Sequence, residues 1–314
     1  MKKSMFLFLA IVALMYVLVS SCKKTPPPTV EISSTTDGYT VTFNPSATNT
    51  DTYIWDFGDD EISAEANPVH IYSMSGTYTV TLTVKGEGGE ATTTKEIILA
   101  PSLLELLTGG AGAASGKTWV LSTVYTDGAD GLGPVINTMP ITLPGSNDFL
   151  NGYGLETEYD NEFTFYASGN FTMNPQNGSV LAGAVYGRET GSIVGDPAYD
   201  IGMCAATFTL PASATWTIHS TNLTVDAITD RSTSDVPPIH GDVTFTGKKW
   251  ISLSAGAYFG ILDFPTTAMF IIKDITSSQM NVALFLCEYG YGDSQDDMML
   301  PTTLVHFTFV PKTK

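Results

Sequence analysis

The sequence predicts an all-β protein, built as two β modules behind an N-terminal export segment. Three observations predict it. Apolar and polar residues alternate with period two in short runs along the chain, the pattern of half-buried strands. Gly, Asn, Asp and Pro cluster between those runs, where turns need them. Beyond residue 30 no long stretch carries the three-to-four spacing of an amphipathic helix.

The first segment is an export signal. Lys2 and Lys3 precede an apolar run from Met5 to Val19, and Ser20, Ser21 and Cys22 follow. A basic start, a short apolar stretch and small residues at its end make residues 1–21 a secretory signal peptide. The run falls short of the roughly 20 apolar residues that a spanning helix needs. Val19-Ser20-Ser21-Cys22 resembles the lipobox of bacterial lipoproteins. The resemblance implies a diacylglycerol on the Cys22 thiol and a mature chain starting there. The plainer alternative is a signal peptide with a chance cysteine. Acyl chains anchor because each buried methylene adds about 0.8 kcal/mol. Residues 22–29 continue as a spacer in which Pro26, Pro27 and Pro28 favour extended polyproline geometry.

Residues 30–100 read as a small β-sandwich. The strand runs are Val30-Glu31-Ile32, Tyr39–Phe43, Tyr78–Val84 and Glu96–Leu99, rich in Thr, Val and Tyr. Three motifs then stand in a fixed order: Trp55-Asp56-Phe57-Gly58-Asp59-Asp60, Asn67-Pro68-Val69-His70-Ile71-Tyr72 and Gly76-Thr77-Tyr78-Thr79-Val80-Thr81-Leu82. In order and spacing they resemble a PKD domain over nearly the whole segment. The resemblance implies an immunoglobulin-like sandwich with Trp55 in its core. It also implies a turn organised by Asp56 and Asp59, a structural role for His70, and a spacer or interaction function. Asp60 departs from the family, which has Gly there.

Residues 101–314 form the larger module. Leu103–Leu107 has the length of one or two helical turns and leads into the small-residue loop Thr108–Gly116. Strand candidates are Thr118–Tyr125, Glu162–Tyr166, Asn170–Met173, Ala205–Leu210, Ala214–Ile218, Asn222–Ala227, Trp250–Leu253, Met269–Asp274, Gln279–Leu286 and Leu304–Val310. An all-β unit of this size fits a β-sandwich of jelly-roll type or an open barrel. Leu104–Thr123 and the run Glu158–Phe165 look like β-rich domains that follow PKD modules in Bacteroidetes lipoproteins. That group is associated with polysaccharide capture at the cell surface.

Charge excludes one class of function. The chain carries 14 basic and 32 acidic residues, a formal charge of −18. Removing residues 1–21 takes away Lys2 and Lys3, leaving 12 against 32, or −20. So acidic a surface repels nucleic acid and offers no basic patch for phosphates. With Cys22 lipidated, Cys204 and Cys287 remain; they pair in an oxidising compartment or stay as buried thiols.

No catalytic signature is present. The histidines lack HExxH and Ser-His-Asp patterns, and the Glu-x-Asp-x-x-Glu strand pattern of jelly-roll glycosidases is absent. Sugar binding asks instead for flat aromatic faces beside short polar groups, often on loops. Candidate ligand-binding residues are Tyr153, Trp216, Trp250, Tyr258, Tyr289, Tyr291 and Asp293, drawn from glycine-flanked loops and two strands. For each of them a core or turn role is the competing reading. Asp127 and Asp130, in the turn Asp127-Gly128-Ala129-Asp130-Gly131, are candidate metal ligands, with Ca2+ the ion such oxygens take and a solvated turn the alternative.

The chain therefore reads as an outer-membrane lipoprotein that binds polysaccharide or oligosaccharide without cleaving it, at the cell surface and alongside an uptake complex. Lys23 and Lys24 after the lipidated cysteine leave a periplasm-facing anchor open. A structural or adhesion protein and a polysaccharide-degrading enzyme are the alternatives.

Overall fold

The structure is a computed structural model that describes residues 24–136, 146–230, 239–254, 256–264, 268–288 and 297–313. Cys22, Tyr289, Tyr291 and Asp293 lie outside the described residues. The chain divides into two compact units, residues 1–102 and 103–314. No described helix is long and apolar enough to cross a membrane.

The first unit is a two-sheet sandwich. Strands β1 (Thr29–Asp37), β2 (Thr40–Thr48) and β5 (Val69–Ile71) form one sheet in the order β1-β2-β5. Strands β3 (Thr52–Asp56), β4 (Ile62–Ser63), β6 (Gly76–Gly86) and β7 (Gly89–Leu99) form the other, in the order β4-β3-β6-β7. The inward set of the alternation supplies the core: Val41, Phe43, Trp55, Val80, Leu82 and Val84, with Phe57 and Tyr72. Trp55 is fully buried, 5.1 Å from Phe43 between ring centroids, and its indole N–H donates to Glu65 O at 2.9 Å. The turn after β3 is tied by Asp56, whose Oδ1 accepts from Gly58 N at 2.9 Å, and by Asp59, whose Oδ1 accepts from Glu61 N at 3.3 Å. Asp60 stands at φ 68, the left-handed conformation that glycine supplies without strain.

The second unit opens with a short helix, α1 (Leu103–Thr108), then β8 (Lys117–Leu121) and β9 (Gly131–Pro134). Next come β10 (Glu162–Phe165), β11 (Asn170–Asn174), β12 (Val180–Gly183), α2 (Ala184–Thr190), β13 (Ile193–Ala198) and β14 (Met203–Ala206). β15 (Ala214–His219), β16 (Leu223–Asp230), β17 (Ile239–Phe245) and β18 (Lys249–Leu253) follow. β19 (Met269–Ile275), β20 (Met280–Leu286) and β21 (Thr303–Pro311) complete it.

The main sheet has nine strands in the order β20-β19-β18-β15-β11-β10-β8-β21-β9, and β20 also pairs with β21. That extra ladder, from Met280↔Phe309 to Leu286↔Thr303, closes eight of the strands into an antiparallel barrel, with β9 pairing Thr303–His306 of β21 on the edge that β8 pairs at Phe309–Pro311. The order around the barrel follows the chain, so the β-rich unit is a closed meander rather than a jelly roll. Closure removes the open edges a sheet would expose.

An eight-stranded barrel is just wide enough for side chains to fill. Here they do. Phe259, from the segment before β19, lies 4.4 Å from both Phe270 and Phe309 and 5.0 Å from Phe163. Trp119 is fully buried in the same core, its N–H donating to Leu107 O at 2.9 Å so that α1 caps the barrel. A second core lies on the other face of the wall. Leu223, Val225, Ala227 and Phe245 of the β16–β17 hairpin pack on Ile271, Ala283, Phe285 and Leu304.

Candidate functional site

Among the described residues, the aromatic candidates from the sequence do not share one open face. Trp216 belongs to the barrel core, edge-on to Phe165 at 5.6 Å, with its N–H donating to Tyr166 O at 3.1 Å. Tyr258 is likewise buried, edge-on to Phe163 at 5.5 Å and to Phe208 at 5.3 Å. The expected open ring face is corrected for both residues: the segment carrying Phe259 into the barrel takes Tyr258 with it, and the strand alternation turns Trp216 inward. Trp250 is half-buried on the outer wall, stacked on His219 at 3.8 Å with an interplanar angle of 12°. One of its faces is therefore already covered. Tyr153 sits half-buried in the turn Phe149–Tyr153, edge-on to Phe149 at 5.4 Å.

The Asp127–Gly131 turn is held down by its second acid. Asp130 Oδ2 accepts from Thr126 N at 2.6 Å and Oδ1 from the Thr308 hydroxyl at 2.7 Å. Thr308 in turn accepts from Asn281 Nδ2 at 2.7 Å. Asp130 thus pins the loop to the barrel wall, while Asp127 is exposed. Burial raises the Asp130 carboxyl above its ordinary range, against the pull of those hydrogen bonds. Among the described residues no three His, Cys, Asp or Glu side chains are grouped as metal ligands.

Cys204 and Cys287 are both reduced thiols buried in the core. Burial first, then the charges of Asp263 and Glu158, push the Cys204 thiol up to about 11. Asp263 lies beside them, accepting from Cys287 N at 2.8 Å and Phe264 N at 2.9 Å. Desolvation raises it to about 7, and Glu288 adds to the rise. Glu158, buried under β12, accepts from Ser179 Oγ and Asn161 Nδ2, each at 2.7 Å, and burial raises it too.

The open site is elsewhere. A cleft of about 410 Å³ is lined by Ala184, Val185 and Arg188 of α2, by Tyr199 and Gly202, and by Glu288. Tyr199 heads the turn between β13 and β14, with its side chain 64% exposed. Arg188 sits in the last turn of α2, where its Nη2 lies 3.0 Å from Glu189 Oε1 and 3.5 Å from Met298 Sδ. Glu288 follows β20, and its Oε2 accepts the Thr303 hydroxyl at 2.8 Å. Its Oε1 faces Gly202: a Cβ there would stand 3.3 Å from that oxygen, so glycine keeps the space open. The arrangement sets an exposed ring face, an arginine side chain and a carboxylate acceptor around one hollow. Neither Asp263 nor Glu158 lines it.

Sequence reasoning missed Tyr199 and Arg188. A usable signal existed in Asp196-Pro197-Ala198-Tyr199-Asp200-Ile201-Gly202, a tyrosine amid turn residues, and in Arg188, one of two arginines in the chain.

Comparison with known proteins covers mainly the first unit. Residues 25–99 match the family model described as PKD domain. Collagenase ColA of Bacillus cereus is 58% identical over 38 residues, 12% of this chain and 4% of that protein. The chain thus covers only a small part of that relative's length. The PKD1 domain of Vibrio anguillarum Epp is 30% identical, covering 25% of this chain and 99% of that one, at a TM-score of 0.24. A carbohydrate-binding module of the β-sandwich superfamily is 12% identical, covering 92% of this chain and 93% of that one at a TM-score of 0.25, a likeness too slight to carry an argument about ligand. Residues 25–99 are a PKD domain.

Proposed function

We propose that the protein is a lipid-anchored binding protein that holds polysaccharide without cleaving it, through the unit 103–314, with the PKD domain as spacer. One observation carries the reading: the cleft in which the exposed Tyr199 ring stands with Arg188 and Glu288. A pyranose presents an apolar C–H face to such a ring and hydroxyls to such polar groups. The most strongly buried carboxyls, Asp263 and Glu158, are engaged by protein donors and do not line the hollow, which favours holding over hydrolysis.

In this reading Cys22 carries the anchor in the outer membrane, at the cell surface beside an uptake complex, as in the Bacteroidetes lipoproteins that Leu104–Thr123 and Glu158–Phe165 resemble. Tyr289, Tyr291 and Asp293 remain ligand-binding candidates on the sequence reading alone. A calcium ion held by Asp127 and Asp130 is a further part of the reading, tested by comparing binding before and after chelation.

The test is affinity electrophoresis of the mature chain against a polysaccharide panel, with reducing-sugar release assayed in parallel. Retardation without sugar release, weakened by Tyr199→Ala, is the expected result. Sugar release makes the protein an enzyme. For the anchor, Cys22→Ser abolishes metabolic labelling with palmitate.

A second reading, an adhesion module making protein contacts, draws on the PKD domain. Ile62 is 75% exposed, Ile71 70% and Ile98 71%, apolar groups available to a protein contact. Failure of every polysaccharide to bind would favour it.

A further inference from the structure

Resting on that reading, we infer that the cleft selects uncharged polysaccharide and turns away chains that carry uronate groups. Among the described residues lining the hollow, Arg188 is the only cationic side chain, and its charge is compensated. Glu189 Oε1 receives both its Nη2, at 3.0 Å, and its Nε, at 3.1 Å. Engaged in this way, Arg188 presents the hollow with a compensated charge and not an uncompensated cation for a carboxylate.

The one acidic side chain among the described lining residues is Glu288. Glu288 presents Oε1 toward the space beside Gly202, and an ionised carboxylate only accepts hydrogen bonds. A sugar hydroxyl can donate to it. A uronate carboxylate cannot, and adds a like charge. Asp200 follows Tyr199 in the chain, Asp196 precedes it by three residues, and both are exposed. The wider field has the same sign: residues 103–314 hold 8 Lys and Arg against 21 Asp and Glu, a balance of −13. Such a field disfavours an anionic polymer before it reaches the ring, in a manner that salt screens.

The experiment uses the full mature chain in detergent, with matched polymers. Polygalacturonate and its carboxyl-reduced form share a backbone and differ only at C6, carboxylate against hydroxymethyl; starch, mannan and xyloglucan extend the neutral set, and alginate and hyaluronate the anionic one. Affinity electrophoresis is run at low and high NaCl for wild type, Tyr199→Ala and Glu288→Gln. The inference expects at least one neutral polymer to bind tenfold or more tightly than every uronate polymer, with binding lost in Tyr199→Ala. The gap should narrow in high salt and in Glu288→Gln. Uronate polymers binding as well as neutral ones, still through Tyr199, overturn the selectivity and leave polysaccharide binding standing. Binding indifferent to Tyr199→Ala, or no binding by any polymer, overturns both the selectivity and the site.

Discussion

His70 and His306 are both buried, and they are buried in opposite ways. In the PKD domain His70 lies flat on Phe57 at 4.0 Å, edge-on to Tyr72 at 4.5 Å, with Nε2 2.7 Å from Asp59 Oδ2. His306, on β21, has no exposed surface and no hydrogen-bond partner at either ring nitrogen. Desolvation, with Lys273 adding like charge, drives its pKa down to about 3, so the ring is neutral. The contrast extends beyond the two rings. Every buried polar atom left without a partner among the described residues, on Asn161, Tyr258 and His306, belongs to residues 103–314. So do the raised carboxyls Asp130, Glu158 and Asp263. The motif-built sandwich brings its polar partners along within the motifs. The barrel buries polar groups as a consequence of closing.

The largest expected effect checks that the two cores are separate. Trp55→Ala empties the centre of the PKD sandwich and should cost about 3–5 kcal/mol. Calorimetry should show the PKD transition lowered and that of residues 103–314 unmoved; a shift in both would break the comparison.

The pH dependence of residues 103–314 comes next. Asp263 has a folded value of about 7 against the ordinary 3.8, so between those values the folded state holds more protons than the unfolded one. Its share of stability is therefore present at low pH and lost as pH rises from about 4 to about 7. His306, lowered to about 3 from 6.5, works the other way: its share is present above 6.5 and lost as pH falls toward 3. Each is worth on the order of 4 kcal/mol, so through their common range the two slopes largely cancel. Single variants uncouple them. His306→Leu should leave a stability that declines from pH 4 to 7, and Asp263→Asn one that climbs from pH 3 to 6.5. Denaturant unfolding across pH reads both, and parallel curves for the two variants would refute the assignment.

At pH 7 the same histidine substitution should have opposite signs in the two regions. His306→Leu removes two unsatisfied atoms and should stabilise, by about 1–3 kcal/mol. His70→Leu strands Asp59 and should destabilise by a similar amount. The difference also explains what could be read from the chain alone. Trp55, Asp56, Asp59 and His70 fall in short motifs whose order gives the sandwich away. Barrel closure joins the first and last strands of the meander, β8 and β21, in the register Leu121↔Phe309, a pairing between distant parts of the chain that no local pattern announces. Val180–Gly183 is buried at every position and shows no alternation, and Ile193–Ala198 contains a glycine, a proline and a register shift. Both were invisible as strands, and with them the frame that carries Tyr199. Tyr258 looked like a loop platform for a related reason: which way a glycine-flanked aromatic points depends on whether a cavity waits beneath it.

The smallest expected effect lies where the PKD domain departs from its own pattern. Asp60 occupies the family's glycine position at φ 68, a conformation that costs a residue with a Cβ roughly 1 kcal/mol or more, although Asp tolerates it better than most. Asp60→Gly relieves that strain, but the glycine also gains freedom in the unfolded chain, which offsets part of the relief. A net gain of a few tenths to about 1 kcal/mol in the PKD transition is expected. A loss would mean that the Asp60 side chain holds the turn by more than its backbone, and that this departure is a stabilising feature of the domain and not a tolerated one.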